Sequence, residues 1–230
     1  MQRLTGAAIG AAGIWTLPTG ALASSRFARL LGMQTHIEDR RAVALTFDDG
    51  PHREGTPAVL AALAKLDTPA TFFLTGEQVL RYPGLAREIA ARGHTIGVHG
   101  HRHRLLTLST PRSSAADLRH ACAVIEQATE SQLRLYRPPY GVANPAVLLV
   151  ARELGLRPVL WTRWGRDWER RATAVSIAAE ATRDLRGGEI LLLHDADHYA
   201  AAGAWRATVA ALPEIVAAVA RTGLGFRTLQ

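Results

Sequence analysis

The chain of 230 residues is long enough for one sizeable core, and its balance of 48% hydrophobic and 20% charged residues excludes a disordered or fibrous protein. Its net charge of +7 rests on scattered arginines and a single lysine, Lys65, which reads as a solvated surface and not as a specific nucleic-acid binder. Cys122 is the only cysteine, so an intramolecular disulfide and a cysteine-based zinc cage are both excluded; its Ala-rich helical surroundings make it a small buried hydrophobe.

The chain opens on the basic Met1-Gln2-Arg3, followed by an uncharged stretch from Leu4 to Ala23. Ala21-Leu22-Ala23 offers small residues where a signal peptidase reads them, so residues 1–23 read as an export signal and 24–40 as a lead-in. Low apolar density argues against a lasting membrane span. The expected location is secreted or at the cell envelope, or the cytoplasm if the leader is no signal. No linker divides residues 41–230, which read as one catalytic domain of a monomer.

Apolar, β-branched runs then alternate with Ala/Leu/Arg stretches of helical period. The expected strands are Ala42–Phe47, Ala70–Leu74, Thr95–Val98, Leu133–Tyr136, Arg157–Trp161, Glu189–Leu193 and Gly225–Thr228. Thr56-Pro57, Thr110-Pro111 and Asn144-Pro145 mark helix starts; Gly93, Gly155 and Gly187-Gly188 mark helix stops. Seven such repeats imply a parallel sheet with helices outside, open or closed into a barrel, with reactive groups at the C-terminal strand ends.

Chemistry-bearing residues fall at those ends. Asp48 and Asp49 close the first strand in Thr46–Pro51; two adjacent carboxylates repel, a cation would relieve them, and the natural division is one on metal and one free as a base. A solvated Asp-Asp-Gly-Pro turn is the bland alternative. His99 and His103 follow the third strand four residues apart, on one face if the segment is a helical turn; two imidazoles and a carboxylate leave coordination positions open. His101 and Arg102 are assigned structural or substrate-facing positions, and His52, His94 and His120 ordinary surface or satisfied polar ones. Arg137, at the end of the fourth strand, can hold a carboxylate bidentately, with Pro138-Pro139 fixing an extended turn. Asp167-Trp168 after the fifth supplies an acid to orient a histidine and a flat apolar wall. His194, ending the sixth, is a candidate general acid.

In this order, Thr46–Pro51, His99–His103, Arg137–Gly141, Asp167-Trp168 and Leu192–His194 resemble the five motifs of the polysaccharide deacetylase family (carbohydrate esterase family 4, the NodB-homology domain), from about Arg41 to the C-terminus. The resemblance implies a distorted (β/α)7 barrel and metal-dependent removal of acetyl groups, N-acetyl first, from a carbohydrate such as peptidoglycan or chitooligosaccharide. It implies Asp48 as base, Asp49, His99 and His103 as metal ligands, Arg137 as the tether of the base, and Asp167 orienting the acid His194. Tyr140 would give a backbone N–H to the oxyanion, and Trp168 and Leu192 would line the acetyl pocket, with Pro138 beside the substrate. The metal implied is Zn2+, with Co2+, Ni2+ or Mn2+ as alternatives.

Two departures stand out. The family's second motif usually reads His-Ser/Thr-x-x-His-Pro, whereas Gly100 and Arg104 stand here in place of the hydroxyl and the proline. Trp164-Gly165-Arg166 lacks an upstream acid, so that Arg163 and Arg166 would make a positive rim suited to an anionic glycan. The rival readings are a deacylase of a small amide, lipid-linked sugar or antibiotic precursor, and a catalytically silent glycan-binding module.

Overall fold

The strand β1, Ala42–Asp48, is buried along its whole length, as an apolar run covered on both faces must be. The computed structural model describes residues 25–106 and 109–230; the expected signal segment 1–23 lies outside them. After α1 (Ser25–Leu30), the chain runs β1, α2 (Gly55–Lys65), β2 (Thr71–Leu74), α3 (Gly76–Arg81), α4 (Pro83–Ala91) and β3 (Thr95–Val98). It continues through α5 (Pro111–Thr129), β4 (Leu135–Tyr136), a 3-10 turn at Pro139–Gly141, α6 (Pro145–Glu153), β5 (Arg157–Pro158) and β6 (Arg163–Trp164). The last elements are α7 (Ala174–Thr182), β7 (Ile190–His194), α8 (Ala204–Arg221) and β8 (Gly225–Phe226).

The strands pair in parallel in the order β5-β4-β3-β2-β1-β7-β6, with β8 against the start of β1. The lead-in is built into the barrel wall: Gln34 bridges Val159 and His36 bridges Glu189, while Met33 and Ile37 are buried. The outcome is the expected distorted barrel with helices outside, with one more strand than expected. Of the run 157–161 only Arg157–Pro158 is a regular strand, since Val159 and Leu160 turn to bridge Gln34 of the lead-in, and a separate two-residue strand forms at β6. Asp167 and His194 therefore follow the sixth and seventh strands.

Strand parity separates two cores. Val43, Leu45 and Phe47 of β1, Phe72 and Leu74 of β2, and Leu191 and Leu193 of β7 pack in the layer beneath the helices. Ala42, Ala44, Phe73, Leu135 and Ile190 fill the barrel interior. Because side chains alternate, Thr46 and Asp48 continue the inner face of β1, Arg137 that of β4, and His194 that of β7. Small Ala42 and Ala44 leave the interior room for the arginine.

Two of the three expected caps form. Thr110 Oγ1 accepts from Ser113 N–H at 3.2 Å, and Asn144 Oδ1 from Val147 N–H at 2.9 Å. Thr56 caps nothing: α2 begins one residue earlier, and its hydroxyl donates to buried Asp195 while accepting from His52 N–H at 2.7 Å. Gly93 and Gly155 follow α4 and α6 with positive φ, as helix stops do. Gly187-Gly188 is no helix stop, since α7 ends at Thr182; the pair turns into β7 against Arg40. Cys122 is buried in α5 as expected.

Candidate active site

At the inner face where β1 ends, Arg137 is fully buried and its Nη1 donates to Asp48 Oδ1 at 2.7 Å and to Thr46 Oγ1 at 2.8 Å. The expected bidentate clamp is not formed, because one nitrogen serves both partners. The guanidinium instead lies over the Phe73 ring, 4.0 Å from its centroid, where a weakly hydrated cation is well accommodated. Burial pushes the Asp48 carboxyl above the ordinary range, with Arg137 pulling it back. Its Oδ2 is left facing the cavity, 3.8 Å from His99 Nε2.

Asp49 turns the chain with φ of 79°, and its carboxylate joins that of Asp48 beside the His99 ring. The next residue must be glycine, since a Cβ at Gly50 would collide with the carboxylate of Asp195. Asp49 Oδ1 stands 3.5 Å from His99 Nε2 and 3.4 Å from His103 Nε2. It is buried and, among the described residues, has no hydrogen-bond partner. Burial lifts its carboxyl to about 7, with His194 opposing and Asp48 adding to the rise. The two histidines are likewise depressed by burial, each to about 3, so both present neutral lone pairs. His99 donates from Nδ1 to the Arg137 carbonyl at 2.7 Å, which directs the Nε2 lone pair at Asp49. Two imidazole lone pairs aimed at a carboxylate oxygen without a hydrogen-bond partner among the described residues fit a divalent cation.

The histidines meet through a loop, not the expected helical turn. Gly100 has φ of +86°, so the family's side chain at this position would be strained here. The loop is steadied by Asp117, whose Oδ2 accepts from His101 N–H at 2.7 Å. The His101 ring packs on His120 at 4.2 Å, which favours the structural over the substrate-facing of its two expected readings.

Asp167 holds His194 twice. Its Oδ1 accepts from Nδ1 at 2.9 Å and its Oδ2 from the His194 backbone N–H at 2.7 Å, while Thr208 donates to Oδ2 at 2.8 Å. Burial works against a charge on His194, yet the Asp167 carboxylate outweighs it, with Asp49 and Asp48 adding, and the ring rises to about 10. Its Nε2 faces Asp49 Oδ2 at 3.9 Å.

These groups form the floor of a cavity of about 290 Å³, with Tyr140, Trp161, Trp164, Trp168, Leu192 and Tyr199 around it. Pro138 is buried and does not line it, so its part is to shape the turn that presents Tyr140. The positive rim does not form: Arg163 pairs with Glu189 at 2.9 Å and Arg166 with Glu169. His52 is a satisfied polar residue, one of the two expected readings: its Nε2 lies 3.2 Å from Asp197 Oδ1, its Nδ1 accepts from Gly55 N–H at 2.9 Å, and its ring lies 4.9 Å from His198. His94 packs on Phe72 and accepts from Ala70 N–H at 3.3 Å, a satisfied polar residue as expected. Sequence reasoning missed Tyr199, Trp161 and Asp195. Only the carboxylate beside His194 carried any signal.

The polysaccharide deacetylase family model matches residues 36–159, more than half of the chain. The chain belongs to the polysaccharide deacetylase family. It is 34% identical to a peptidoglycan-N-acetylglucosamine deacetylase of Bacillus cereus over 83% of this chain and 87% of the relative. Identity is also 34% to a chitooligosaccharide deacetylase of Azorhizobium caulinodans, over 87% and 99%. Among solved structures, a peptidoglycan N-acetylglucosamine deacetylase in complex with a naphthalenyl N-oxidanyl-benzamide superposes with a TM-score of 0.81 at 27% identity, over 90% of this chain and 94% of that one. Asp167 and His194 of this family member lie beyond the span of the family model; His194 lines the same cavity as Asp48 and Asp49, and Asp167 is buried behind it.

Proposed function

We propose that this chain removes N-acetyl groups from N-acetylglucosamine units of an envelope or chitin-type glycan, with Zn2+ held by Asp49, His99 and His103. The observation that carries the reading is the unpartnered, buried Asp49 Oδ1 faced by two imidazole nitrogens, beside a carboxylate that an arginine reserves for other work. A divalent cation on these ligands supplies Lewis-acid chemistry, polarising a carbonyl and acidifying water.

The chain's own residues divide the remaining work. Asp48, tethered through Oδ1, takes the proton of the attacking water on Oδ2. His194, kept protonated and aligned by Asp167, gives its Nε2 proton to the leaving amine. The Tyr140 N–H contributes to the oxyanion as charge develops. Trp168 and Leu192 enclose the acetyl methyl, and the exposed faces of Trp164 and Tyr140 suit the apolar face of a sugar ring. The presence together of base, three ligands and acid favours turnover over a silent glycan-binding module.

The relatives' names support peptidoglycan and chitooligosaccharide as the first substrates to try; the basic start and the uncharged stretch ending in Ala21-Leu22-Ala23 support an exported, envelope-facing enzyme whose leader ends near Ala23. Among the described residues no helix is long and apolar enough to cross a membrane. Acetate release measured on N-acetylglucosamine oligomers, peptidoglycan and acetylxylan tests the reading. Release from the first two is expected, and release from acetylxylan alone would overturn the N-acetyl assignment.

A further inference from the structure

The two metal-facing histidines are held by different means. His99 has its Nδ1 on the Arg137 carbonyl, the usual way of fixing a ligating imidazole. His103 has no such partner: its Nδ1 is buried and unpaired among the described residues. Two tyrosine rings press on it instead. Tyr199 stacks at 4.3 Å between centroids with the planes 15° apart, and Tyr140 meets it at 4.4 Å and 60°.

Tyr199 comes from the loop between β7 and α8, so it reaches His103 across the mouth of the barrel. It is anchored there, because its hydroxyl donates to the Glu77 carboxylate. Glu77 in turn donates its backbone N–H to the His101 carbonyl at 3.0 Å. One residue of α3 thus ties down both the metal-binding loop and the ring that covers it. The loop has the more need of this because Gly100 brings no side chain to brace it.

We infer that Tyr199 is a positioning residue for the metal centre, its ring face fixing the His103 imidazole where a hydrogen bond fixes His99. The inference rests on the metal reading of Asp49, His99 and His103. It assigns to a residue outside the five motifs a part in metal affinity.

The test is the Zn2+ affinity of the full chain, measured by competition with a chromophoric chelator, together with the visible absorption of the Co2+-loaded protein. Tyr199→Phe keeps the ring and loses its anchor on Glu77, and is expected to keep the Co2+ spectrum and to weaken Zn2+ binding less than the variants that delete the ring. Tyr199→Leu and Tyr199→Ala are expected to weaken Zn2+ binding by about tenfold or more and to alter the Co2+ spectrum. Trp164→Ala, in the same cavity but not against His103, is expected to leave Zn2+ affinity unchanged. Wild-type affinity and spectrum in Tyr199→Leu would overturn the inference. So would a loss of affinity that merely follows a lower unfolding temperature of the metal-free variant. Wild-type Zn2+ affinity in Asp49→Ala would instead bring down the metal reading itself, a result distinguishable from either.

Discussion

Asp48 and Asp49 are neighbours in sequence with opposite assignments, and their surroundings divide them. Arg137 neutralises Asp48, while the cationic or metal-binding groups facing Asp49 among the described residues are the imidazoles of His99, His103 and His194. The arginine is fully buried, so removing it strands a carboxylate in the core. Arg137→Met is expected to lower stability by about 3–5 kcal/mol, read from denaturant unfolding; an unchanged midpoint would mean that Asp48 needs no partner. At His194 the sign of the pH effect follows from a raised pKa. The ring keeps its proton through neutral pH and loses it on the alkaline side, where activity should fall. Asp167→Asn withdraws the main charge that raises it, so the alkaline limb of kcat should move to lower pH, with kcat down by about 10²-fold. A limb that stays in place would remove Asp167 from the acid's support.

At the scale of elements, the placing of reactive groups at strand ends was legible, and the parity of the folded strands adds which face each takes. Alternation along Ala42–Asp48 and Ile190–His194 suffices to send Thr46, Asp48 and His194 inward. What alternation does not encode is the path of a loop. The spacing of His99 and His103 suits a helical turn, yet a left-handed Gly100 brings them together. Tyr199 was illegible for the same reason: a loop of Ala, Asp and His carries no period, and its contact with His103 is made across the barrel. Strand β6 was missed, because its two residues are too few to alternate, whereas the equally short β4, β5 and β8 fall within expected strands. Helix starts were clearer, since a cap is local chemistry. Asn144 also donates to the Leu106 carbonyl and to Ser114, joining α6 to the segment before α5. Asn144→Ala is therefore expected to cost about 1–2 kcal/mol in thermal unfolding while leaving kcat unchanged, because the residue is remote from the cavity.

Over the whole molecule, the parallel barrel gathers the ends of β1, β3, β4, β6 and β7 at one mouth, so residues up to 146 positions apart in sequence, Asp48 and His194, share a floor. The lead-in bridges at Gln34 and His36 stitch strands that do not pair with one another. The central claim is that this floor works through a cation on Asp49, His99 and His103. Acetate release from an N-acetylglucosamine oligomer, before chelation, after it, and after Zn2+ is restored, tests that claim most directly in the wild-type chain and in Asp49→Ala. The account predicts release that chelation abolishes and Zn2+ restores in the wild type, and none in the variant. Undiminished release by Asp49→Ala under full chelation would contradict it.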